Sequence, residues 1–357
     1  MQSQKSVEET GENKEKQTQP SPTQQMLGMI TNFWTSQLVI AGDSLGIFKA
    51  LANGPATASE LAHKQSFNED AGNRFLTACV AIGVLKRDGD KYANSELADQ
   101  TLVPGRDGYM GGFIAHSRND LYQLWAHLDD AVRENSPRWS QVFGATSANP
   151  FEQMYKDPEG LRNFMYAMRN GSLQAVEGLL AVYDFSQHKC LMDVGGALGT
   201  VSVAVAQRNP HLKAISFDLP PVGPLATEYI QSQGISDRVR SAAGDMFKND
   251  LPRDADVIHL SWILHDWSDD KCVAILRNCY SALPSGGTIL IGEMLLNDDG
   301  SGPLFPALMS LNMLVATDGG RERTAGEYQK LLEGAGFIDV HAQKLESLRD
   351  LIIAKKK

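Results

Sequence analysis

Apolar positions along this chain follow two rhythms. Between Gln24 and Ala52, Met26, Leu27, Ile30, Phe33, Trp34, Leu38 and Ile40 recur at helical spacing. So broad an apolar face predicts a terminal helix that packs on something outside its own domain. Thr57-Ala58-Ser59-Glu60 is a capping box that opens a short helix, and a second helix is expected from about Asn68 to Ile82. Val84-Leu85-Lys86-Arg87, the turn Asp88-Gly89-Asp90 and Tyr92-Ala93 then form a small hairpin. Helix, helix and hairpin predict a winged-helix arrangement. Longer helices are expected over 108–134, carrying Phe113, Leu121, Leu124, Trp125 and Leu128, and over 159–183, carrying Phe164, Met165, Met168 and Leu180. The stretch 135–158 is rich in Pro, Gly, Ser and Asn but also holds Trp139, Phe143 and Phe151, so it reads as an ordered connection.

From Lys189 the rhythm becomes alternating strand and helix. Strands are predicted near 189–194, 213–218, 238–242, 255–261, 287–293, 337–345 and 349–354, the last two without a helix between them. Such alternation gives an α/β domain, a parallel sheet covered on both faces with a final hairpin adding an antiparallel strand. Ligands of such sheets bind beyond the carboxyl ends of the strands. The domains expected are a disordered tail over 1–22, a winged-helix domain over 23–107, a helical connection over 108–184 and the ligand-binding domain over 185–357.

The strand ends hold the chemistry. After the first comes Asp193-Val194-Gly195-Gly196-Ala197-Leu198-Gly199, a tight turn from strand to helix whose glycines let the backbone approach a ligand. Ala197 and Thr200 break the dinucleotide fingerprint G-x-G-x-x-G, and no phosphate-binding lysine follows. A loop of this form suits S-adenosylmethionine (SAM), which carries no phosphate. Asp218, 25 residues beyond Asp193, ends the second strand where a carboxylate can hold ribose hydroxyls. After the third strand, Asp245 of Gly244-Asp245-Met246-Phe247 is placed to accept from an adenine amino group, with Met246 and Phe247 against the ring. The fourth strand is followed by Trp262-Ile263-Leu264-His265-Asp266-Trp267 and the fifth by Glu293.

His265, beside Asp266 and between two tryptophans, is the candidate base. Methyl transfer to a hydroxyl requires loss of the hydroxyl proton, and a neutral imidazole with a pKa near neutrality suits that step. A carboxylate on its other nitrogen must orient it. Both Glu293 and Glu322 qualify, Glu322 standing just before the capping box Thr324-x-x-Glu327. The remaining histidines show no ligand spacing, so no metal is expected.

Charge and composition narrow the partners. A net charge of −10 argues against nucleic acid or an anionic membrane as the main partner. Between Thr57 and Ser95, five Lys/Arg balance five Asp/Glu, so the winged-helix region is expected to dimerise rather than read DNA. Four scattered cysteines, Cys79, Cys190, Cys272 and Cys279, and the absence of a secretory h-region predict a cytoplasmic protein with reduced thiols. No apolar run is long enough to span a bilayer.

The chain resembles the acetylserotonin O-methyltransferases, relatives of the plant caffeate-type enzymes. The matching stretches are His127-Leu128-Asp129-Asp130-Ala131-Val132-Arg133-Glu134, the Asp193 loop, Phe217-Asp218-Leu219-Pro220 and Gly244-Asp245-Met246-Phe247. Further on they are Leu264-His265-Asp266-Trp267, Ser310-Leu311-Asn312-Met313-Leu314-Val315 and Glu322-Arg323-Thr324. The resemblance implies a Rossmann-like class I SAM-methyltransferase fold and a homodimer whose first helix packs into the partner's site. It implies His265 as base flanked by Glu293 and Glu322, and an acceptor pocket lined by Phe164, Met168, Trp262, Met309, Asn312 and Met313. Three departures stand out. Ala197 replaces a usual glycine, at little cost if its φ is negative; Ser261 replaces a lysine found near the cofactor in plant relatives; and Asn170-Gly171 replaces polar residues that contact phenolic acceptors there. Relatives also methylate nitrogen or a thioether sulfur, and Arg169 or Arg321 is then available to hold a carboxylate on the acceptor. A non-enzymatic alternative is a winged-helix regulator that senses SAM.

Overall fold

A computed structural model describes residues 20–144, 157–248 and 251–357. Most of the expected tail, and Phe151 of the expected connection, lie outside the described residues. Helix α1 (Pro22–Ser44) opens on a capping box, Ser21 with Gln24, and on Pro22, whose missing N–H costs nothing in a first turn. The helix thus begins just inside the segment read as tail. The single helix expected over 24–52 is broken at Gly46, φ +69°, and resumes as α2 (Ile47–Leu51). On α1, Met26, Leu27, Met29, Ile30, Phe33 and Trp34 are all exposed. The face predicted to pack outside its own domain is therefore bare in a single chain.

Strand β1 (Ala56–Thr57) leads into α3 (Ala58–Gln65), started by the predicted Thr57/Glu60 box, and α4 (Glu69–Ala81) follows. The hairpin β2 (Leu85–Asp88) and β3 (Lys91–Asn94) takes up β1 as a third strand. Ile47, Phe48, Leu61, Leu76 and Tyr92 fill the core of this region. Beyond α5 (Glu96–Thr101), the helix expected over 108–134 comes in pieces. These are α6 (Gly111–His116), a π-helical turn over Ser117–Leu121, α7 (Tyr122–Trp125) and α8 (Leu128–Glu134). Wide turns of that kind are frequent at functional sites. Short α9 (Trp139–Phe143) is followed by α10 (Pro158–Val182), which matches its predicted span.

The C-terminal domain is a sheet of seven strands. β4 (Cys190–Val194), β5 (Lys213–Asp218), β6 (Val239–Ala243), β7 (Val257–Ser261) and β8 (Thr288–Glu293) are parallel, ordered β8-β7-β4-β5-β6. The chain order reverses at β4, the crevice where ligands of such sheets bind. Two-residue β9 (Leu295–Leu296) and β10 (Arg323–Thr324) pair in a sheet of their own. The final hairpin, β11 (Phe337–Gln343) and β12 (Asp350–Lys356), places β12 between β8 and β11, antiparallel to both. Helices α11 (Thr200–Arg208), α12 (Gly223–Ser232), α13 (Asp269–Ala282), α14 (Leu304–Ala316) and α15 (Ala325–Ala335) complete the fold. β4 and β8 are buried along their whole length, as expected of strands covered on both faces. Among the described residues, no helix is long and apolar enough to cross a membrane. All four cysteines are buried and unpaired.

Candidate active site

At the carboxyl ends of β4 and β7 lies a cavity of about 340 Å³. Its walls come from the Gly loop, the segment after β7, the helices α6, α10 and α14, and single residues from elsewhere that include Trp125, Trp139 and Arg349. The loop's geometry follows from its sequence. Gly195 sits at φ +72°, and a Cβ there would lie 2.2 Å from Ile263 Cδ1. A Cβ on Gly196 would meet the Asp193 carbonyl oxygen at 2.9 Å, and the positive φ at Gly195 disfavours a side chain there as well. Ala197 has φ +48°, so the condition under which it would replace a glycine at little cost is not met. The left-handed backbone is strained for alanine, and the turn imposes it: Ala197 N–H donates to Asp218 Oδ2 at 2.9 Å. Leu219 N–H donates to the other oxygen, Oδ1, at 2.7 Å. Burial pushes the Asp218 carboxyl up to about 6, against the pull of these two donors.

The base candidate stands on a short 3₁₀ turn, Leu264–Asp266, which is pinned from below. Fully buried Arg323 donates to the carbonyls of Leu264 (3.0 Å) and Trp267 (2.7 Å) and to Asp269 Oδ1. Glu293 Oε1 accepts the N–H groups of Ile263 (3.0 Å) and Leu264 (2.9 Å). Pairing of β10 with β9 carries Glu322 to the same spot. There Glu322 Oε1 lies 2.7 Å from His265 Nδ1, with Glu293 Oε2 at 3.8 Å. The ambiguity between the two acids is thereby resolved: Glu322 makes the hydrogen bond to the ring, and Glu293 holds the turn and supplies charge.

His265 Nε2 is 3.7 Å from Asp266 Oδ1, beyond hydrogen-bond reach, and both residues line the cavity. Burial disfavours the imidazolium, but Glu293, Asp266 and Glu322 outweigh it and raise the pKa to about 10. The neighbouring carboxylates thus favour the imidazolium, a pull that the sequence expectation of a neutral ring near pH 7 did not include. Burial in turn raises Asp266 to about 6 and Glu293 to about 7. One ligand atom each from His265, Glu293 and Glu322 falls within a 4.8 Å cluster that a cation can bridge. Nδ1 and Glu293 Oε1 are, however, already engaged in the hydrogen bonds described.

The other predicted residues sort into two groups. Asp193, Gly195, Gly196, Ser261, Trp262, Phe164, Met168, Met309, Asn312 and Met313 all line the cavity. Asp218, Leu219, Gly244, Asp245, Met246 and Phe247 stand on the neighbouring strand ends, outside that wall. Gly244 N–H donates to Asp218 O at 3.0 Å, tying the two ends together. Asp245 Oδ1 accepts from Phe247 N–H at 2.9 Å, the local turn cap that its residue type allows. Arg169 does not reach the cavity wall; its guanidinium lies over the Tyr229 ring, 5.6 Å from the centroid. Arg321 is engaged by Glu327 and Asp269. Asn170 donates to Tyr109 O, tying α10 to the chain before α6 rather than facing an acceptor.

Sequence reading missed three contributors. Trp125 Nε1 donates to Asn312 Oδ1 at 2.8 Å and so fixes the amide in the wall. His116, at the mouth of the π-turn, pairs with Asp120 at 2.8 Å and lines the cavity. Arg349, just before β12, reaches the same wall and lies 4.2 Å from the Trp262 ring centroid. Trp262 itself adopts φ +53°, an uncommon conformation for a bulky residue, and stacks on His265. His259, expected within a strand, pairs with Asp193 at 2.7 Å beneath the Gly loop.

Comparison with known proteins bears on this geometry. Residues 125–338 match the O-methyltransferase domain, and residues 27–104 match the O-methyltransferase dimerisation domain. Acetylserotonin O-methyltransferase of Bos taurus is 36% identical over 332 residues, spanning 91% of this chain and 95% of that protein. The 3-hydroxy-5-methyl-1-naphthoate 3-O-methyltransferase of Streptomyces sahachiroi is 36% identical over 319 residues, 89% of this chain and 90% of that one. The crystal structure of human N-acetylserotonin methyltransferase in complex with SAM superposes with a TM-score of 0.89 at 31% identity, covering 95% of this chain and 99% of the other. With a shared fold, two matched domains and relatives along nearly its whole length, the chain belongs to the O-methyltransferase family and carries that family's dimerisation domain.

Proposed function

We propose that the protein is a homodimeric, cytoplasmic SAM-dependent O-methyltransferase acting on a hydroxyl of a small aromatic acceptor, with His265 as the general base. The observation that carries this reading is the buried His265–Glu322 pair, 2.7 Å apart, in the wall of a largely apolar cavity that the Gly loop closes on the other side. The donor set suits an adenosyl ligand without phosphates. Each Asp218 oxygen accepts one backbone N–H and keeps a lone pair for a ribose hydroxyl. Asp193, Gly195, Gly196 and Ser261 would flank the remainder of the ligand. Both curated relatives are named O-methyltransferases, one of them of a hydroxynaphthoate, which supports a hydroxyl on an aromatic ring as the acceptor.

SAM supplies an electrophilic methyl group on a sulfonium. The chain's own part is to position the acceptor, exclude water and take up one proton. Phe164, Met168, Trp262, Met309 and Met313 offer apolar contact, and Asn312, held by Trp125, fixes orientation. The acceptor's proton passes to His265 Nε2 as its oxygen gains the methyl. Glu322 holds Nδ1–H and stabilises the imidazolium that results. Acting as a base requires the neutral ring, against the pull of the neighbouring carboxylates. The positive charge of bound SAM would favour that neutral form, each ~1.4 kcal/mol of repulsion lowering the pKa by about one unit. No metal is needed for any of these roles.

Incubation with methyl-labelled SAM and panels of phenols, hydroxyindoles, amines and methylthio-acids tests the reading. Label on a hydroxyl is expected; label confined to amines or thioethers would reassign the acceptor atom, and no transfer with no SAM binding would refute it.

A further inference from the structure

Three arginines are buried among the described residues, and two of them are structural. Arg323 is saturated by Asp269 and three backbone carbonyls. Arg138 pairs with Glu134 at 2.9 Å and bonds Ser136 and Gln141. Arg349 differs from both. It is 5% exposed, yet no carboxylate of the described residues lies within ion-pair distance of its guanidinium. Its Nη1 donates to Ser261 Oγ at 2.5 Å, its face lies on the Trp262 ring, and its buried Nε has no partner.

A buried guanidinium left without an anion is costly, because its attraction to a distant charge does not replace lost hydration. Burial pushes the Arg349 guanidinium down to about 10, so it remains charged at neutral pH. Its surroundings leave the side chain little freedom. Ser347 Oγ donates to Arg349 O and accepts from its N–H, and a Cβ on Gly171 would come 3.4 Å from Trp262 and 3.6 Å from Arg349 Nη2. The group that completes this site must be an anion entering from the cavity, and a guanidinium fork is shaped for a carboxylate.

We propose that Arg349 is the carboxylate-binding residue of this cavity, receiving the amino-acid end of the methyl donor beside Ser261 and the Gly loop. The inference rests on the reading that the cavity binds SAM. The donor is favoured over the acceptor as the source because Arg349 shares its stretch of wall with Asp193, Gly195 and Ser261. A carboxylate on the acceptor has the same chemistry and is separated by the experiment.

Calorimetry on the full-length protein compares S-adenosylhomocysteine with its decarboxylated analogue. The wild type should bind the carboxylate form about 10- to 100-fold more tightly, the usual worth of a charged hydrogen-bonded pair. Arg349→Gln should lose that preference while binding the decarboxylated analogue as the wild type does. Arg349→Lys, which keeps charge without the fork, should fall between. Equal wild-type affinity for the two ligands overturns the proposal without any variant. A preference that survives in Arg349→Gln overturns the donor assignment. If that variant instead loses selectivity for a hydroxyarenecarboxylate over its methyl ester, the carboxylate site stands and the acceptor is its source. A wild type that binds neither adenosyl ligand refutes the reading of the cavity, and this inference falls with it.

Discussion

Replacing Glu322 by Gln separates the two services that an acid renders to His265. The side chains are nearly isosteric, and the amide oxygen can still accept from Nδ1, so the ring keeps a partner. What disappears is one buried negative charge, with Oε1 at 2.7 Å from Nδ1. With charge centres about 4 Å apart and an effective dielectric near 20, that charge is worth ~4 kcal/mol to the imidazolium, or about three pKa units. From a starting point of about 10, His265 should then titrate near neutrality, at roughly 7. Histidine-selective isotope labelling and NMR across pH 5–11 read this directly in the free protein. Stability gives a second readout with a fixed sign. A histidine whose folded pKa is raised from 6.5 to about 10 contributes stability that is full below pH 6.5 and is lost as pH climbs to 10. The excess in melting temperature of wild type over variant should therefore shrink through that window. An unchanged His265 titration, or an excess that widens from pH 6.5 to 10, would refute the assignment of Glu322 as the acid that holds the imidazolium.

Three further outcomes follow from the same geometry. Asp218→Ala removes the carboxylate that meets Ala197 and Leu219 N–H; SAM affinity should fall about 10- to 100-fold by calorimetry, and an unchanged affinity would place the ribose elsewhere. Removing residues 1–19, which spares the Ser21 cap, should leave association and activity intact. Removal through Leu51 takes away the exposed face of Met26, Leu27, Ile30, Phe33 and Trp34 and should abolish both; light scattering that shows an active monomer would contradict the dimer. Exhaustive chelation should not change the rate, since proton transfer to His265 uses no cation; activity restored only by a divalent ion would make the His265–Glu293–Glu322 cluster, where Glu293 Oε2 and Glu322 Oε2 have no partner, a metal site.

Much of this was legible in the sequence because the information was local. Period-two and apolar runs located all seven strands of the main sheet to within a few residues, and the capping boxes at Thr57 and Thr324 appear where predicted. Strand ends at a switch point then assembled His265, Asp193 and Trp262 around one cavity, and the family resemblance added Asn312 of α14. What escaped depends on contacts across the chain. Arg349 carries no signal in the sequence and joins the site only because β12 lies beside β8, which brings its Nη1 2.5 Å from Ser261 Oγ, 88 residues away. The upward pull on the His265 pKa sums its neighbour Asp266 with Glu293 and Glu322, which arrive from two other segments. The sign of φ at Ala197 was open in the sequence because the turn is tied by the bond from its own N–H to Asp218, on the next strand. Arg169 falls on a plausible helix face, but the rotation of α10 sends it to Tyr229.

The central claim, proton removal from a hydroxyl by His265, is tested most directly by single-turnover methyl transfer with His265→Ala. The assay uses saturating SAM and a phenolic acceptor identified with the wild type. A phenol with a pKa of ~10 is almost wholly protonated at pH 7, so loss of the base should slow transfer by roughly a hundred- to ten-thousandfold. SAM affinity should stay nearly intact, and the residual rate should climb from pH 6 to pH 10 as the phenol ionises unaided. A small loss that is flat across the same pH range would contradict the account and leave His265 as a positioning residue.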